Sequence, residues 1–150
     1  MALYKKFLDG VPEYLAQYYW WAYLWRGSIW FFDHQTIIDA ILFGHYQVLL
    51  QKTLAQIEQN SAARILQLTC VYGKLTPCML TRTPSELHLC DAANGQLRLA
   101  RSKTAQFAQR CFLARMNAEC LGYSSDAFDQ VIVFFLFHEM PAYARRNTYA

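Results

Sequence analysis

The chain has 150 residues, of which 55% are hydrophobic and 17% are charged. That balance excludes an intrinsically disordered chain, and the length suits one domain. The net charge of +3 is too small to indicate a nucleic-acid-binding protein, so no nucleic-acid partner is expected. The five cysteines include no CxxC pair, which argues against a zinc site, and their odd number argues against a disulfide framework. Cys70 and Cys90 lie in apolar runs and are expected in the core.

Aromatic residues crowd the segment from Tyr14 to Phe32. Its most apolar stretch, residues 14–25, is shorter than the roughly 20 residues that a transmembrane helix needs. Its Trp and Tyr side chains suit a membrane interface instead. Basic residues cluster further along the chain, either as a solvated face or as a patch facing anionic lipid headgroups. They are Arg98, Arg101, Lys103, Arg110 and Arg115.

Helical spacing of isoleucine and leucine predicts one helix over residues 36–58. Thr36 followed by Asp39 resembles a capping box at its start, and Asn60 with Ser61 suits its end. Beyond it, short apolar runs predict strands at residues 65–71, 87–90, 111–115 and 131–137. Helical segments near 76–82 and 94–108 alternate with these strands, which predicts right-handed βαβ units and a parallel sheet. The fourth run is continuously apolar, as a central strand is.

Two candidate sites follow the first two strands. Tyr72 and Gly73 form a turn in which glycine lets the backbone approach a ligand, although a GxGxxG fingerprint is absent. An ordinary strand-to-helix turn fits the same residues. Asp91 ends the second strand about 20 residues later, where a carboxylate accepts hydrogen bonds from both ribose hydroxyls. A helix N-cap is the competing interpretation of Asp91.

Two further candidates follow the third and fourth strands. Asn117 and Ala118 stand where an amide can bind an adenine amino group. His138 and Glu139 stand at the carboxyl edge of the sheet, where they can act as a general base or as metal ligands. A structural pair that orients the next helix is the alternative.

Together these motifs resemble class I S-adenosylmethionine-dependent methyltransferases. More closely, the chain resembles the rhodoquinone-biosynthesis methyltransferase-like proteins, which convert ubiquinone to rhodoquinone. The resemblance rests on Pro-Glu-Tyr-Leu at 12–15, Tyr-Trp-Trp-Ala-Tyr-Leu at 19–24, Phe-Asp at 32–33, Ile-Leu-Phe-Gly at 41–44, Val-Tyr-Gly at 71–73 and Phe-Phe-Leu-Phe-His-Glu at 134–139. Three residues depart from that family: Lys74 replaces an Asp beside the presumed ligand, His45 replaces Asn, and Asn117 replaces Asp.

The resemblance implies an α/β, Rossmann-like class I methyltransferase fold with an N-terminal helical segment. Residues 1–60 would form that aromatic and helical segment, and residues 61–150 the N-terminal half of a methyltransferase domain. The family's sheet has seven strands, of which this sequence supplies the first four. The fold is therefore expected to be incomplete, with the fourth strand at an exposed edge, where association is a hazard. Truncation could leave the chain inactive.

The resemblance also implies ligands and roles. S-adenosyl-L-methionine is the implied cofactor, and manganese (Mn2+) is the implied metal. The implied cofactor-binding residues are Tyr72, Gly73, Asp91, Ala92, Asn117 and Ala118. The implied catalytic residues are Tyr72, His138 and Glu139. The implied quinone entrance consists of Tyr19, Trp20, Trp21 and Tyr23.

The implied reaction replaces a ring methoxy group of ubiquinone, a lipid substrate, with an amino group. It would take place in the cytoplasm, with the protein peripheral at the inner face of the cytoplasmic membrane. Two alternatives stay open. One is an ordinary methyltransferase acting on a quinone or another small molecule, and the other is a non-catalytic remnant that binds a membrane or a partner.

Overall fold

A computed structural model describes residues 10–23, 26–70 and 72–149. Within them the strands are β1 Arg64–Leu68, β2 Glu86–Asp91, β3 Cys111–Arg115 and β4 Gln130–Val133. Five helices precede the sheet: α1 Glu13–Tyr18, α2 Trp20–Tyr23, α3 Arg26–Phe32, α4 Gln35–Ile41 and α5 Tyr46–Gln59. Three more are α6 Leu75–Arg82, α7 Asn94–Lys103 and α8 Ala142–Tyr149, and a short 3-10 helix spans Ala105–Phe107.

The four strands form one parallel sheet in the order β3-β2-β1-β4. At the carboxyl end of β1, Leu68 pairs with Cys90 on one side and with Val133 on the other. All four strands therefore end at the same edge of the sheet. The parallel pairing confirms the sheet that the alternating strands and helices predict.

The core lies on both faces of β1, because alternate strand residues point to opposite faces. Ile65 faces a cluster that α5 and α6 cover, in which Leu54 and Leu75 are fully buried. Leu66 and Leu68 face a second cluster that includes residues of α1 and α8. Cys90 lies in this second cluster, and both it and Cys70 are buried, as expected.

The prediction of one helix over residues 36–58 is wrong, because α4 ends at Ile41 and α5 begins at Tyr46. Phe43 and Gly44 both have positive φ, which a continuing helix does not allow. The Gly44 N–H donates to the Asp39 carbonyl at 2.7 Å, closing the end of α4 as glycine often does. The capping box is also wrong, since His34 is the N-cap of α4 and makes no side-chain capping bond. At the other end, α5 ends at Gln59 and Asn60 is its C-cap, as predicted.

The fourth strand is shorter than the predicted run of residues 131–137. It ends at Val133, where its neighbour β1 also ends, and Phe135 has a positive φ. β4 pairs only with β1 among the described residues and therefore forms an edge of the sheet, and its residue Val131 is 55% exposed. The edge position agrees with the expected incomplete sheet. Among the same residues, no helix combines the length and the apolar character needed to cross a membrane.

Candidate functional site

A cavity of about 290 Å³ opens at the carboxyl edge of the sheet, beyond the ends of β1, β2 and β4. This is where open parallel sheets bind their ligands. Most of the predicted site residues line it. They are Tyr19, Trp21, Tyr72, Asp91, Ala92, Asn117, Ala118, His138 and Glu139. Residues from five separate segments of the chain thus meet at one cavity.

Asp91 ends β2 and is 7% exposed. Its Oδ2 accepts the Cys70 N–H at 2.7 Å, and its Oδ1 accepts the Ala93 N–H at 2.7 Å. Burial raises the pKa of the Asp91 carboxyl from 3.8 to about 6, although these two N–H groups partly offset the effect. Each carboxylate oxygen can accept more than one hydrogen bond, so the cavity side of the group can still receive ligand hydroxyls.

The glycine turn after β1 is held by side chains from distant elements. Gly73 has φ +91°, and its N–H donates to Asp33 Oδ1 at 3.0 Å. The Lys103 ammonium donates to the Gly73 carbonyl at 2.9 Å and also to Asp33 Oδ1. The next N–H, that of Lys74, donates to Tyr46 Oη at 2.7 Å. These bonds fix the backbone of the turn in a conformation that only glycine adopts readily.

Gly73 itself is buried and does not line the cavity. A Cβ at this position would stand 2.3 Å from Tyr46 Oη, closer than real Cβ atoms approach. A Cβ at Gly44, which has a similar φ of +77°, would meet nothing within 4 Å. Glycine at residue 73 is therefore required for two separate reasons, and at residue 44 for only one.

Tyr72 is the member of the turn that faces the cavity. Its ring lies 6.0 Å from the Phe32 ring, between centroids, and Phe32 also lines the cavity. Burial raises the pKa of the Tyr72 phenol above its ordinary value of 10.0. The phenol is therefore neutral at physiological pH and can donate a hydrogen bond.

Asn117 and Ala118 follow β3 and form the opposite wall. Asn117 Oδ1 accepts the Glu119 N–H at 3.0 Å, so the amide is oriented by its own loop. An amide offers both a donor and an acceptor, the pair of groups needed to recognise the edge of a base.

His138 and Glu139 form a pair on the cavity rim, with His138 Nε2 3.7 Å from Glu139 Oε1. The His138 side chain is 63% exposed, so it is reached from solvent as well as from the cavity. No group of three or more His, Cys, Asp and Glu side chains that could hold a metal ion occurs in the described part of the chain. This pair alone does not supply the six oxygen-rich ligands typical of manganese, so no reaction step is assigned to a metal.

Several predicted residues lie elsewhere. Trp20 is 46% exposed and does not line the cavity, while Val71 and the side chain of Tyr23 lie outside the described part of the structure. Lys74 was expected to place a charge beside the ligand. Its side chain is exposed and does not line the cavity, because the residue is the N-cap of α6 and contributes its backbone N–H inward. His45 is likewise an exposed N-cap.

Sequence reasoning missed the residues that hold the turn: Asp33, Tyr46 and Lys103. It also missed Gln67, which is fully buried in β1. The Gln67 amide donates to the Thr69 carbonyl at 3.1 Å and accepts from the Thr76 hydroxyl at 3.0 Å, linking strand and helix across the turn. The Phe-Asp motif at 32–33 was an available signal for Asp33. No local pattern marks the other three.

Comparison with known proteins agrees with this geometry. Residues 65–150, more than half of the chain, match the family model described as a methyltransferase domain. Over 120 residues the chain is 31% identical to the demethylmenaquinone methyltransferase of Lactiplantibacillus plantarum, covering 77% of this chain and 51% of that protein. The chain thus spans about half the length of this curated relative.

The fold also matches a solved structure. A Methanococcus maripaludis protein assigned as a candidate S-adenosyl-L-methionine-dependent methyltransferase superposes with a TM-score of 0.64 at 11% identity, covering 83% of this chain and 57% of that one. The chain belongs to the methyltransferase-domain family, and its fold is the Rossmann-like fold of class I S-adenosylmethionine-dependent methyltransferases.

Gly73→Ala should lower the free energy of unfolding more than Gly44→Ala does. Both variants force a positive φ on alanine, at a cost of about 1–2 kcal/mol. Gly73→Ala adds the collision with Tyr46, a further ~1–3 kcal/mol. Urea denaturation of both variants measures the difference. Equal losses would mean that the packing of Tyr46 on the turn is not as described.

Proposed function

We propose that this chain is the cofactor-binding part of an S-adenosyl-L-methionine-dependent transferase that modifies a quinone. The observation that carries the proposal is the buried Asp91 carboxylate at the end of β2, lining the cavity between the glycine turn and Asn117. A carboxylate at this position can accept hydrogen bonds from both ribose hydroxyls of a nucleoside, and here it lies within the cavity of a methyltransferase-family fold.

The cofactor would lie along the carboxyl edge of the sheet. Its ribose hydroxyls would donate to Asp91, and its adenine would reach Asn117 and Ala118. Its methionine portion would pass Tyr72, whose orientation depends on the Gly73 backbone behind it. When bound, this cofactor supplies an electrophilic methyl group on a sulfonium centre. The chain's own contribution is to bind it and to hold that centre beside the apolar part of the cavity.

The affinity for S-adenosyl-L-methionine should fall as pH drops through about 6, where Asp91 becomes protonated. Below that pH the carboxyl loses acceptor capacity, so Kd should rise by up to about tenfold per pH unit. Calorimetric titration between about pH 5 and about pH 8 measures this. Asp126→Asn, at an exposed carboxylate, is the matched control and should keep the profile. A flat profile in the wild-type chain would remove Asp91 from the cofactor site.

The remainder of the cavity favours a flat apolar substrate. Trp21, Phe32, Ile41 and Leu42 line it on the side of the N-terminal helices. Aromatic and aliphatic walls of this kind stack against a ring and leave its few polar atoms for directed hydrogen bonds. A quinone has such a ring, and the Lactiplantibacillus plantarum relative is a demethylmenaquinone methyltransferase.

For methyl transfer, a ring carbon of the reduced quinone would attack the cofactor's methyl group. His138, oriented by Glu139, would take a ring hydroxyl proton, and the carbon–carbon bond would form as the bond between sulfur and methyl breaks. Water would then take the proton from the methylated ring carbon, and His138 would return the hydroxyl proton to the ring oxygen. Tyr72, a neutral phenol, would donate to a ring oxygen.

Conversion of ubiquinone to rhodoquinone is the second candidate. It is favoured by the aromatic motifs between residues 12 and 44, which precede the segment matched by the methyltransferase-domain model. In that reaction the cofactor, held by Asp91, Asn117 and Tyr72, would supply the amino group that replaces the ring methoxy group, and the methoxy group would leave as methanol. The same cavity serves either reaction.

Doubly labelled cofactor separates the two reactions. We expect S-adenosyl-L-methionine with a heavy methyl carbon and a heavy amino nitrogen to pass the carbon label to demethylmenaquinone. Transfer of the nitrogen label to ubiquinone would establish the rhodoquinone reaction instead. Mass spectrometry of the extracted quinones measures both, and His138→Ala should reduce either signal by about 100-fold. A folded chain that neither binds the cofactor nor transfers either label would support the non-catalytic alternative.

The N-terminal helices are proposed to rest on the inner face of the cytoplasmic membrane. Trp30 and Phe43 are 69% and 88% exposed, and Ile41 is both exposed and part of the cavity lining. The cavity therefore opens within an apolar surface, which would let a lipid quinone enter without crossing water. A remnant without enzymatic function would bind the membrane through the same aromatic surface but would not bind the cofactor.

Trp30→Ala and Phe43→Ala should each weaken binding to vesicles of phosphatidylglycerol and phosphatidylethanolamine. Loss of one inserted aromatic ring should lower the partition coefficient by about tenfold. Co-sedimentation measures it, and Tyr143→Ala, at an exposed aromatic of α8, is the control. Unchanged partition in both test variants would contradict this orientation.

A further inference from the structure

One ion pair satisfies both polar groups of the Gly73 peptide backbone. Asp33 Oδ1 accepts the Gly73 N–H, and Lys103 Nζ donates to the Gly73 carbonyl and to the same Asp33 oxygen. Gly73 is buried, so its N–H and its carbonyl would otherwise have to find partners away from water. The turn has no second glycine. Its Gly73 backbone is held by side chains that are distant in the sequence.

The two partners come from two helical segments that are far apart in the sequence and contact each other in the fold. Asp33 directly follows α3, and Lys103 is the last residue of α7. Their side chains are 18% and 21% exposed, so solvent screens their interaction only in part. Lys103 belongs to the basic cluster of the sequence, but its ammonium donates to Asp33 and to the Gly73 carbonyl within the fold. Removing either partner would leave the other charge largely buried without its counter-ion.

Asp33 also connects the turn to the aromatic wall. The preceding residue, Phe32, lines the cavity and packs against the Tyr72 ring, and it lies 5.7 Å from the Trp21 ring. Neither Asp33 nor Lys103 lines that cavity. Two consecutive residues therefore hold the turn: Asp33 binds the Gly73 backbone, and Phe32 packs against the Tyr72 ring.

We propose that Asp33 and Lys103 are positioning residues for the cofactor, an inference that rests on the proposed function. Their ion pair holds the Gly73 peptide so that Tyr72 faces the cavity, and it couples that turn to the wall formed by Phe32. Movement of the N-terminal helices would then change cofactor affinity, even though none of the coupling atoms touches the cofactor.

The first test is amide hydrogen exchange at Gly73, measured by NMR on the unliganded chain. Asp33→Ala removes the acceptor of this N–H and should speed exchange by about tenfold or more. Lys103→Met should speed it by a smaller factor, because the carboxylate loses its counter-ion. Arg101→Met also removes one positive charge from α7, but from an exposed position, and it should leave the exchange rate of the Gly73 amide unchanged. If the alanine variant does not fold, Asp33→Asn replaces it. That variant keeps an acceptor oxygen but loses the charge that pairs with Lys103, so it should speed exchange by a smaller factor, as Lys103→Met does.

The second test is calorimetric titration with S-adenosylhomocysteine. Asp33→Ala and Lys103→Met should each weaken binding by about tenfold, and the double variant should lose little more than either single variant, because the two side chains act as one unit. Gly73 exchange that stays slow in both single variants, or losses that simply add, would overturn the proposal. Accelerated exchange in a chain whose wild type binds no cofactor would support the ion pair's hold on Gly73 and contradict the proposed function.

Discussion

The buried carboxylate of Asp91 is the constraint on which the site depends. Its two oxygens accept backbone N–H groups from Cys70, just beyond β1, and from Ala93, at the start of α7. The carboxylate thereby fixes the spacing between the ends of two neighbouring strands, which is the spacing that a nucleoside must span. A neutral side chain of the same size cannot accept both bonds, so architecture and ligand binding require the same group.

Burial of that carboxylate has an electrostatic consequence. Its pKa is raised to about 6, so the group is ionised at neutral pH with a modest margin. The surrounding wall is mostly apolar and aromatic, which strengthens any hydrogen bond made to the carboxylate within the cavity. Polar recognition is thus concentrated at Asp91, Asn117 and the glycine turn. The apolar remainder suits the flat ring of the proposed quinone substrate.

Part of this arrangement could be predicted from the sequence. Asp91 ends a strand, and Asn117 and His138 each follow one. The carboxyl ends of parallel strands meet at one edge of the sheet, so the convergence of these residues on one cavity follows from the parallel arrangement. The contacts of Gly73 with Asp33 and Lys103 could not be predicted from the strand pattern. They join residues 40 and 30 positions apart, and no periodicity or local motif specifies them.

Errors in the predicted elements have physical causes of the same kind. Apolar spacing continues from α4 into α5, so periodicity alone hid the break at Phe43 and Gly44, although the glycine was a local signal for it. The fourth apolar run was too long for a strand with a single neighbour, since β4 stops where β1 stops. The apolar run includes Leu136, which is buried, but hydrophobicity does not distinguish burial in a strand from burial in the loop that follows.

The most direct measurement is a crystal structure of the chain with S-adenosylhomocysteine bound. The account predicts electron density for the nucleoside in the cavity at the carboxyl edge of the sheet, with both ribose hydroxyls within hydrogen-bond distance of Asp91 and the adenine against Asn117 and Ala118. Density for the ribose at any other position, or a folded chain whose cavity stays empty at saturating S-adenosylhomocysteine, would contradict it.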